Sequence, residues 1–268
     1  MSDRSTLLLQ HHLKQLKLPT MLKQYASQAQ VCAKQDIGYS DYLLRLAEME
    51  LTDRQKRAMD RRIANAKFPI IKTLDSFDFS AQPSINEKLI RQLAGCEFID
   101  KRQNVLMMGN SGTGKTHLAT ALGFAACSQG KKVRFFGVTD LVTQLVEARE
   151  DRSLQRMLSQ LQKQDLIVLD ELGYVPFSQA GAELLFEVVS RAYERQSLVV
   201  TTNLPFEDWP QVMGSERMTG AMLDRLTHRV HIVQANGQSY RLRESKRQLQ
   251  KQAGKPQAAG NEKIQQEN

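Results

Sequence analysis

The chain has 268 residues, 41% of them hydrophobic and 25% charged, with a net charge of +8. Those proportions are ordinary for a globular protein and allow one sizeable domain with a smaller appendage, or two modest ones. No apolar run approaches the roughly 20 residues that cross a bilayer, and the N-terminal stretch lacks the cleavage site of a secretory signal, which predicts a cytoplasmic protein without a membrane partner. Cys32, Cys96 and Cys127 are widely spaced and form no CxxC or Cys/His cluster, so they read as buried thiols and exclude a disulfide framework or zinc site. Residues 1–75 hold 13 Lys and Arg against 8 Asp and Glu, residues 76–235 hold 17 against 18, and residues 236–268 hold 7 against 3. A neutral centre between basic flanks suits a catalytic core whose ends meet a polyanion; the alternative is a solvated basic surface.

The first 70 residues read as helical. Leu13, Leu16, Leu18 and Leu22 recur near helical spacing, and Pro19 predicts a break between two short helices. With Ser40 as N-cap, a longer helix is expected from Asp41 to about Lys67, with an intermittent apolar stripe of Leu43, Leu44, Ala47, Leu51, Ala58, Met59, Ile63 and Ala66. Its second half carries Arg54, Lys56, Arg57, Arg61, Arg62 and Lys67 against Asp53 and Asp60, a basic amphipathic helix suited to gripping the phosphates of duplex DNA with little base readout. Phe68-Pro69 ends it, because proline disfavours a helical residue before it. The stretch FPIIKTLDSFDFSAQPS reads as a linker to a helix near Ser84.

From Asn104 short apolar strands alternate with helices: strands at NVLMMG, KKVRFFGV, DLIVLDE and SLVVTTN, with helices between them including one over roughly 180–195. That alternation predicts an α/β fold with a parallel sheet covered on both faces. The expected layout is a helical N-terminal domain with linker over 1–75, an α/β domain over 76–245, and a disordered tail over 246–268, rich in Gln, Lys, Ala and Gly.

Gly109-Asn110-Ser111-Gly112-Thr113-Gly114-Lys115-Thr116 fits the phosphate-binding pattern GxxxxGK[ST] between a predicted strand and a predicted helix. Its glycines let backbone N–H groups curl around phosphate oxygens at a helix N-terminus. Lys115 is placed to reach the β- and γ-phosphates of ATP, and the Thr116 hydroxyl to ligate Mg²⁺. Leu166-Ile167-Val168-Leu169 ends in Asp170-Glu171. On a strand beside the P-loop strand, Asp170 would hold magnesium through water and Glu171 would orient and deprotonate the attacking water. The third site element is the strand Leu198-Val199-Val200-Thr201-Thr202-Asn203, whose terminal amide would sit between the γ-phosphate and that water as a sensor.

GNSGTGKTHLATALG, LIVLDELGY, VVTTNLPFEDW and MLDRLTHR, together with the linker FPIIKTLDSFDFSAQPS and the following NVLMMG, resemble the IstB-like members of the IstB/DnaC-like group of AAA+ ATPases, over about residues 5–247. The resemblance implies an AAA+ core, assembly of several copies into a ring or helix on duplex DNA, and a cognate IstA-type transposase as partner. It also implies that Arg225 is an arginine finger reaching a neighbouring subunit, with Arg217 and Arg229 as competitors, and that Arg241 lies where a second sensor would, although no helical lid domain follows. A helicase loader shares this chemistry and differs in partner. A small-molecule P-loop kinase would need an acceptor pocket and an arginine-bearing lid.

Overall fold

The structure, a computed structural model, describes residues 2–243 and Ser245; the tail expected to be disordered lies outside the described residues. The chain forms two compact units that divide between Asn65 and Ala66.

The first unit contains α1 (Ser2–Gln15), α2 (Pro19–Lys34) and α3 (Tyr39–Ala66, whose last residue belongs to the second unit). Lys17 ends α1 in the left-handed region at φ 56°, with the Leu18 amide donating to the Leu13 carbonyl and the Lys17 amide to that of Lys14. This is the double hydrogen bond by which a helix closes on a left-handed residue. Pro19 then opens α2 at a position where its missing N–H does no harm. Helix α3 starts at Tyr39, so Ser40 lies inside its first turn and is not the N-cap. Nor is its apolar stripe uniformly covered: Leu46 is buried, Ala58, Met59 and Ile63 are half-buried, and Leu43, Leu44 and Leu51 are exposed.

With few large apolar side chains buried here, Leu13 and Leu46 among them, a polar contact carries much of the packing. The Glu50 carboxylate on α3, 2% exposed, accepts from the Thr20 and Met21 amides at 2.8 and 3.1 Å. It thereby satisfies two N–H groups that the start of α2 leaves without a helical acceptor, and Leu18 offers no side-chain cap. The same carboxylate holds Arg57 at 3.0 Å and Arg54 at 3.5 Å, while the Thr20 hydroxyl donates to Asp53 at 2.9 Å.

In the second unit β1 (Asn104–Met108), β2 (Val133–Gly137), β3 (Leu166–Leu172), β4 (Ser197–Thr202) and β5 (Val230–Gln234) form a parallel sheet in the order β2-β3-β4-β1-β5. Successive side chains point to opposite faces, and both faces are apolar. Ile167 and Leu169 of β3, with Leu198 and Val200 of β4, pack against α7 (Val138–Glu150), α9 (Gln179–Ala192) and α11 (Glu216–Thr227). Helices α4 (Glu87–Ala94) and α6 (Lys115–Ser128) pack together, α6 lying along β1 to β4. Asn86 caps α4, so that helix begins three residues after Ser84. Short helices α5 (Glu97–Asp100), α8 (Leu154–Leu161) and α10 (Trp209–Met213) complete the unit.

The strand ending in Asp170-Glu171 does not lie beside the P-loop strand; β4 is interposed, pairing with β1 on one side and β3 on the other. All three cysteines are buried, and burial pushes the Cys96 thiol up to about 11. Among the described residues no helix is long and apolar enough to cross a membrane.

Replacing Glu50 with Ala should destabilise the first unit by about 2–3 kcal/mol, since two amides and two guanidinium groups lose a buried charged acceptor. Glu50→Gln should recover part of that loss, because the amide oxygen still accepts from Thr20 and Met21. Urea unfolding followed by circular dichroism measures both; a Glu50→Ala protein as stable as the parent would show the network to be dispensable.

Candidate functional site: a phosphate cradle at the strand tips

The C-terminal tips of β1, β3 and β4 converge on one cleft of about 470 Å³. Its floor is the loop from Gly109 to Gly114, closed by hydrogen bonds from the Gly109 amide to the Thr202 carbonyl and from the Thr113 hydroxyl to the Asn110 carbonyl. Gly109, Gly112 and Gly114 all have positive φ, at 140°, 78° and 96°. A Cβ on Gly109 would lie 2.2 Å from the Ala235 carbonyl oxygen, one on Gly112 2.2 Å from the Ser239 hydroxyl, and one on Gly114 2.6 Å from the Phe77 ring. Glycine is required at these three positions by conformation and by space together.

Lys115 begins α6, and its ammonium donates to the Gly109 and Asn110 carbonyls at 2.6 and 2.7 Å. Burial pushes its pKa below the ordinary lysine value; Asp170 and Glu171 oppose that shift and Arg241 adds to it. The adjacent Thr116 hydroxyl donates to Asp170 at 3.0 Å. Asp170, 5% exposed, also accepts from the Thr201 hydroxyl at 2.6 Å. Burial raises its pKa, while the Thr201 and Thr116 hydroxyls, then Lys115 and Arg241, pull it back. A magnesium ion at phosphate oxygens here would find Thr116 and Asp170 already side by side, an oxygen pair of the type this hard cation prefers.

Glu171 follows in a left-handed conformation, φ 63°, at a break in the β3–β4 register between Leu169 and Leu172. Its amide donates to the Thr201 hydroxyl at 2.9 Å, and its exposed side chain lines the cleft. A non-glycine residue held there stores backbone strain, a feature that gathers at functional sites. Asn203, just past β4, lines the same cleft with its side-chain oxygen buried and unpartnered in the structure.

The walls come from segments outside the phosphate-binding pattern. Phe77 lies over Gly114 and packs edge-on against His117, whose ring nitrogen meets the Thr73 carbonyl at 3.0 Å and the Ser76 hydroxyl at 3.2 Å. The stretch that reads as a linker is therefore one wall of the cleft, with Ile70, Lys72, Asp78 and Gln82 also lining it. Residues 235–241 form a strap that meets this wall: the Ala235 amide donates to Met108, the Tyr240 amide to Gly112, and Gln82 donates to the Gln238 carbonyl. Arg241 lines the cleft on that strap. Tyr174 reaches Ser111, hydroxyl to hydroxyl, at 3.2 Å.

The other expected residues lie elsewhere. Arg225 is half-buried on α11, 5.0 Å above the Phe186 ring, and donates to the Ala221 carbonyl at 2.6 Å; it is not among the cleft-lining residues. Arg217 and Arg229 are exposed. On α3, Arg54 and Arg57 are tied to Glu50, Lys56 and Arg61 are exposed, and Arg62 is half-buried. Lys67 is exposed and ends that helix at φ 59°.

Comparison with known proteins agrees with this geometry. The family described as IstB-like ATP binding protein matches residues 11–248. An ATP-binding protein, by its name, of insertion sequence IS5376 from Geobacillus stearothermophilus is 39% identical over 88% of this chain and 94% of its own length. A similarly named protein of IS21 from Pseudomonas aeruginosa is 37% identical over 88% of this chain and 89% of its own. Among solved structures, DnaA from Aquifex aeolicus bound to AMPPCP superposes with a TM-score of 0.55 at 18% identity, covering 69% of this chain and 56% of that one, a likeness of fold. The chain belongs to the IstB-like ATP-binding proteins, with an AAA+ P-loop fold.

Proposed function

We propose that this protein is a magnesium-dependent ATPase that assembles on duplex DNA and assists the transposase of its insertion sequence. The observation that supports the hydrolytic part is that Glu171 and Asn203 both line the P-loop cleft, with Asp170 hydrogen-bonded to Thr116 at the strand tips. Lys115 exchanges its two carbonyl partners for phosphate oxygens when ATP binds, and its partly desolvated charge makes that exchange favourable. Thr116 and Asp170 would hold a magnesium ion, which would supply charge neutralisation at the phosphates. Glu171 takes the proton of the attacking water, and the Asn203 amide orients that water. An acid and an amide at this end suit attack by water better than transfer to a substrate hydroxyl. The relatives' names place them in insertion sequences, which favours a transposase over a replicative helicase as partner.

Lys115→Ala should abolish ATP binding, whereas Glu171→Gln should bind ATP normally and lose turnover by roughly 10²–10⁴-fold. Nucleotide-binding and phosphate-release assays separate the two; a Glu171→Gln protein with parental turnover would remove Glu171 from the role of base.

For the finger, Arg225 would leave Phe186 and reach a neighbouring subunit's nucleotide. Arg225→Ala should then bind ATP but hydrolyse it poorly, and mixing it with Lys115→Ala should restore activity, since each protein supplies what the other lacks. Co-assembly of the two without recovered phosphate release would discard a shared site at this arginine.

The DNA contact is assigned to the cations of α3 together with Lys67. Lys56→Gln with Arg61→Gln should lower the slope of log affinity against log salt by about 1.8 on duplexes of unrelated sequence, about 0.9 for each phosphate no longer neutralised. An unchanged slope would move the contact elsewhere, most directly to the basic segment from Arg241 onward.

A further inference from the structure

A second cavity, of about 710 Å³, lies within the first unit, between the α1–α2 turn and the second half of α3. Its cationic lining comes from both sides: Lys14 and Lys17 from the turn, Arg54, Arg57 and Arg61 from the helix. Periodicity along α3 reveals only the second set, because the two lysines lie some forty residues away in sequence and join the arginines through the packing of the helices.

Two of the arginines are fixed in place. Arg57 is anchored at 3.0 Å on the buried Glu50 carboxylate, and Arg54 spans Glu50 at 3.5 Å and the Lys17 carbonyl at 3.1 Å. Glu50 is also saturated by the Thr20 and Met21 amides. It is therefore a support behind the arginines and not a competing anion in the groove, and among the described residues no acid lines the cavity. The left-handed turn at Lys17 reverses the chain there, so that Lys14 and Lys17 reach the groove from the side opposite α3.

From this arrangement we propose that the groove is a phosphodiester-binding cradle in which Lys14 and Lys17 grip the nucleic-acid backbone opposite Arg54, Arg57 and Arg61, with Glu50 as the positioning residue that holds two of the arginines. The inference rests on the DNA-binding reading above and adds to it two cations and a rigid support. The chemistry that fits is a row of anionic groups met from two sides by five cations. Arginines braced from behind keep unused N–H donors for phosphate oxygens and lose little side-chain entropy on binding. The apolar stems and leucines at the floor, Leu13 and Leu22 among them, offer a surface for sugar faces without reading base edges.

The test uses the full-length protein with ATP, duplex DNA of arbitrary sequence, and a salt titration of affinity. Lys14→Gln with Lys17→Gln keeps the stems, removes two charges, and should lower the salt slope by about 1.8 while leaving nucleotide binding unchanged. Glu50→Gln, checked for native helix content, should weaken DNA binding although it removes a negative charge, a sign that simple electrostatics would reverse. If the lysine pair leaves the slope at its parental value while Lys56→Gln with Arg61→Gln lowers it, the cradle is overturned and the DNA-binding reading stands. If neither pair moves the slope, that reading fails and takes the cradle with it. Binding of poly-glutamate that depends on Lys14 and Lys17, beside DNA binding that does not, would assign the groove to acidic polypeptides and overturn the proposal.

Discussion

A carboxylate withdrawn from water must be satisfied by its immediate neighbours, and the strand-tip end of this cleft is organised around how Asp170 meets that requirement. Its partners are the hydroxyls of Thr116 on α6 and Thr201 on β4, so a single charge ties together the tips of three elements. The Thr201 hydroxyl also receives the Glu171 amide, which fixes the backbone of the next residue in its left-handed turn. Desolvation alone would drive Asp170 towards its neutral form; the two hydroxyls and the cations Lys115 and Arg241 hold it back. Remove those donors and the strand tips lose both their alignment and the charge that a magnesium ion would meet.

The P-loop was readable from sequence because its chemistry is local: consecutive amides and a helix N-terminus need glycines at fixed offsets within eight residues. The strands from β1 to β4 were readable for a similar reason, each being a short apolar run closed by a polar tip. Their order was not. Nothing in the segments around Leu166 and Leu198 tells which of them pairs with β1, since both are apolar on both faces and order is decided by long-range packing. Strand β5 escaped notice because Val230–Gln234 sits at the sheet edge, mostly half-buried or exposed, and interleaves His231 and Gln234 with its apolar residues.

The walls of the cleft were illegible for a different reason. Phe77 and Ser239 become functional neighbours only because glycines at 114 and 112 have no Cβ to keep them away, and complementarity between a missing side chain and a distant aromatic leaves no periodic trace. In the first unit the helices were legible but the use of their charges was not. Arg54 and Arg57 read as free surface cations in a helical projection, whereas Glu50, four and seven residues earlier, holds both. The helix ends there are also atypical, with Lys17 and Asp36 taking the left-handed position usually given to glycine.

The way the cleft is walled has a consequence for the second unit as a whole. The segment carrying Phe77 lies near the beginning of that unit and the strap carrying Tyr240 near its described end, about 160 residues further on, and both touch the loop that cradles phosphate. Gln82 and Gln238 join the two segments directly, so a nucleotide seated on that loop adds to a closure that the fold itself makes. ATP bound there would hold both ends of the unit at once, so that the stability of the whole unit, and not of the phosphate loop alone, follows the concentration of ATP.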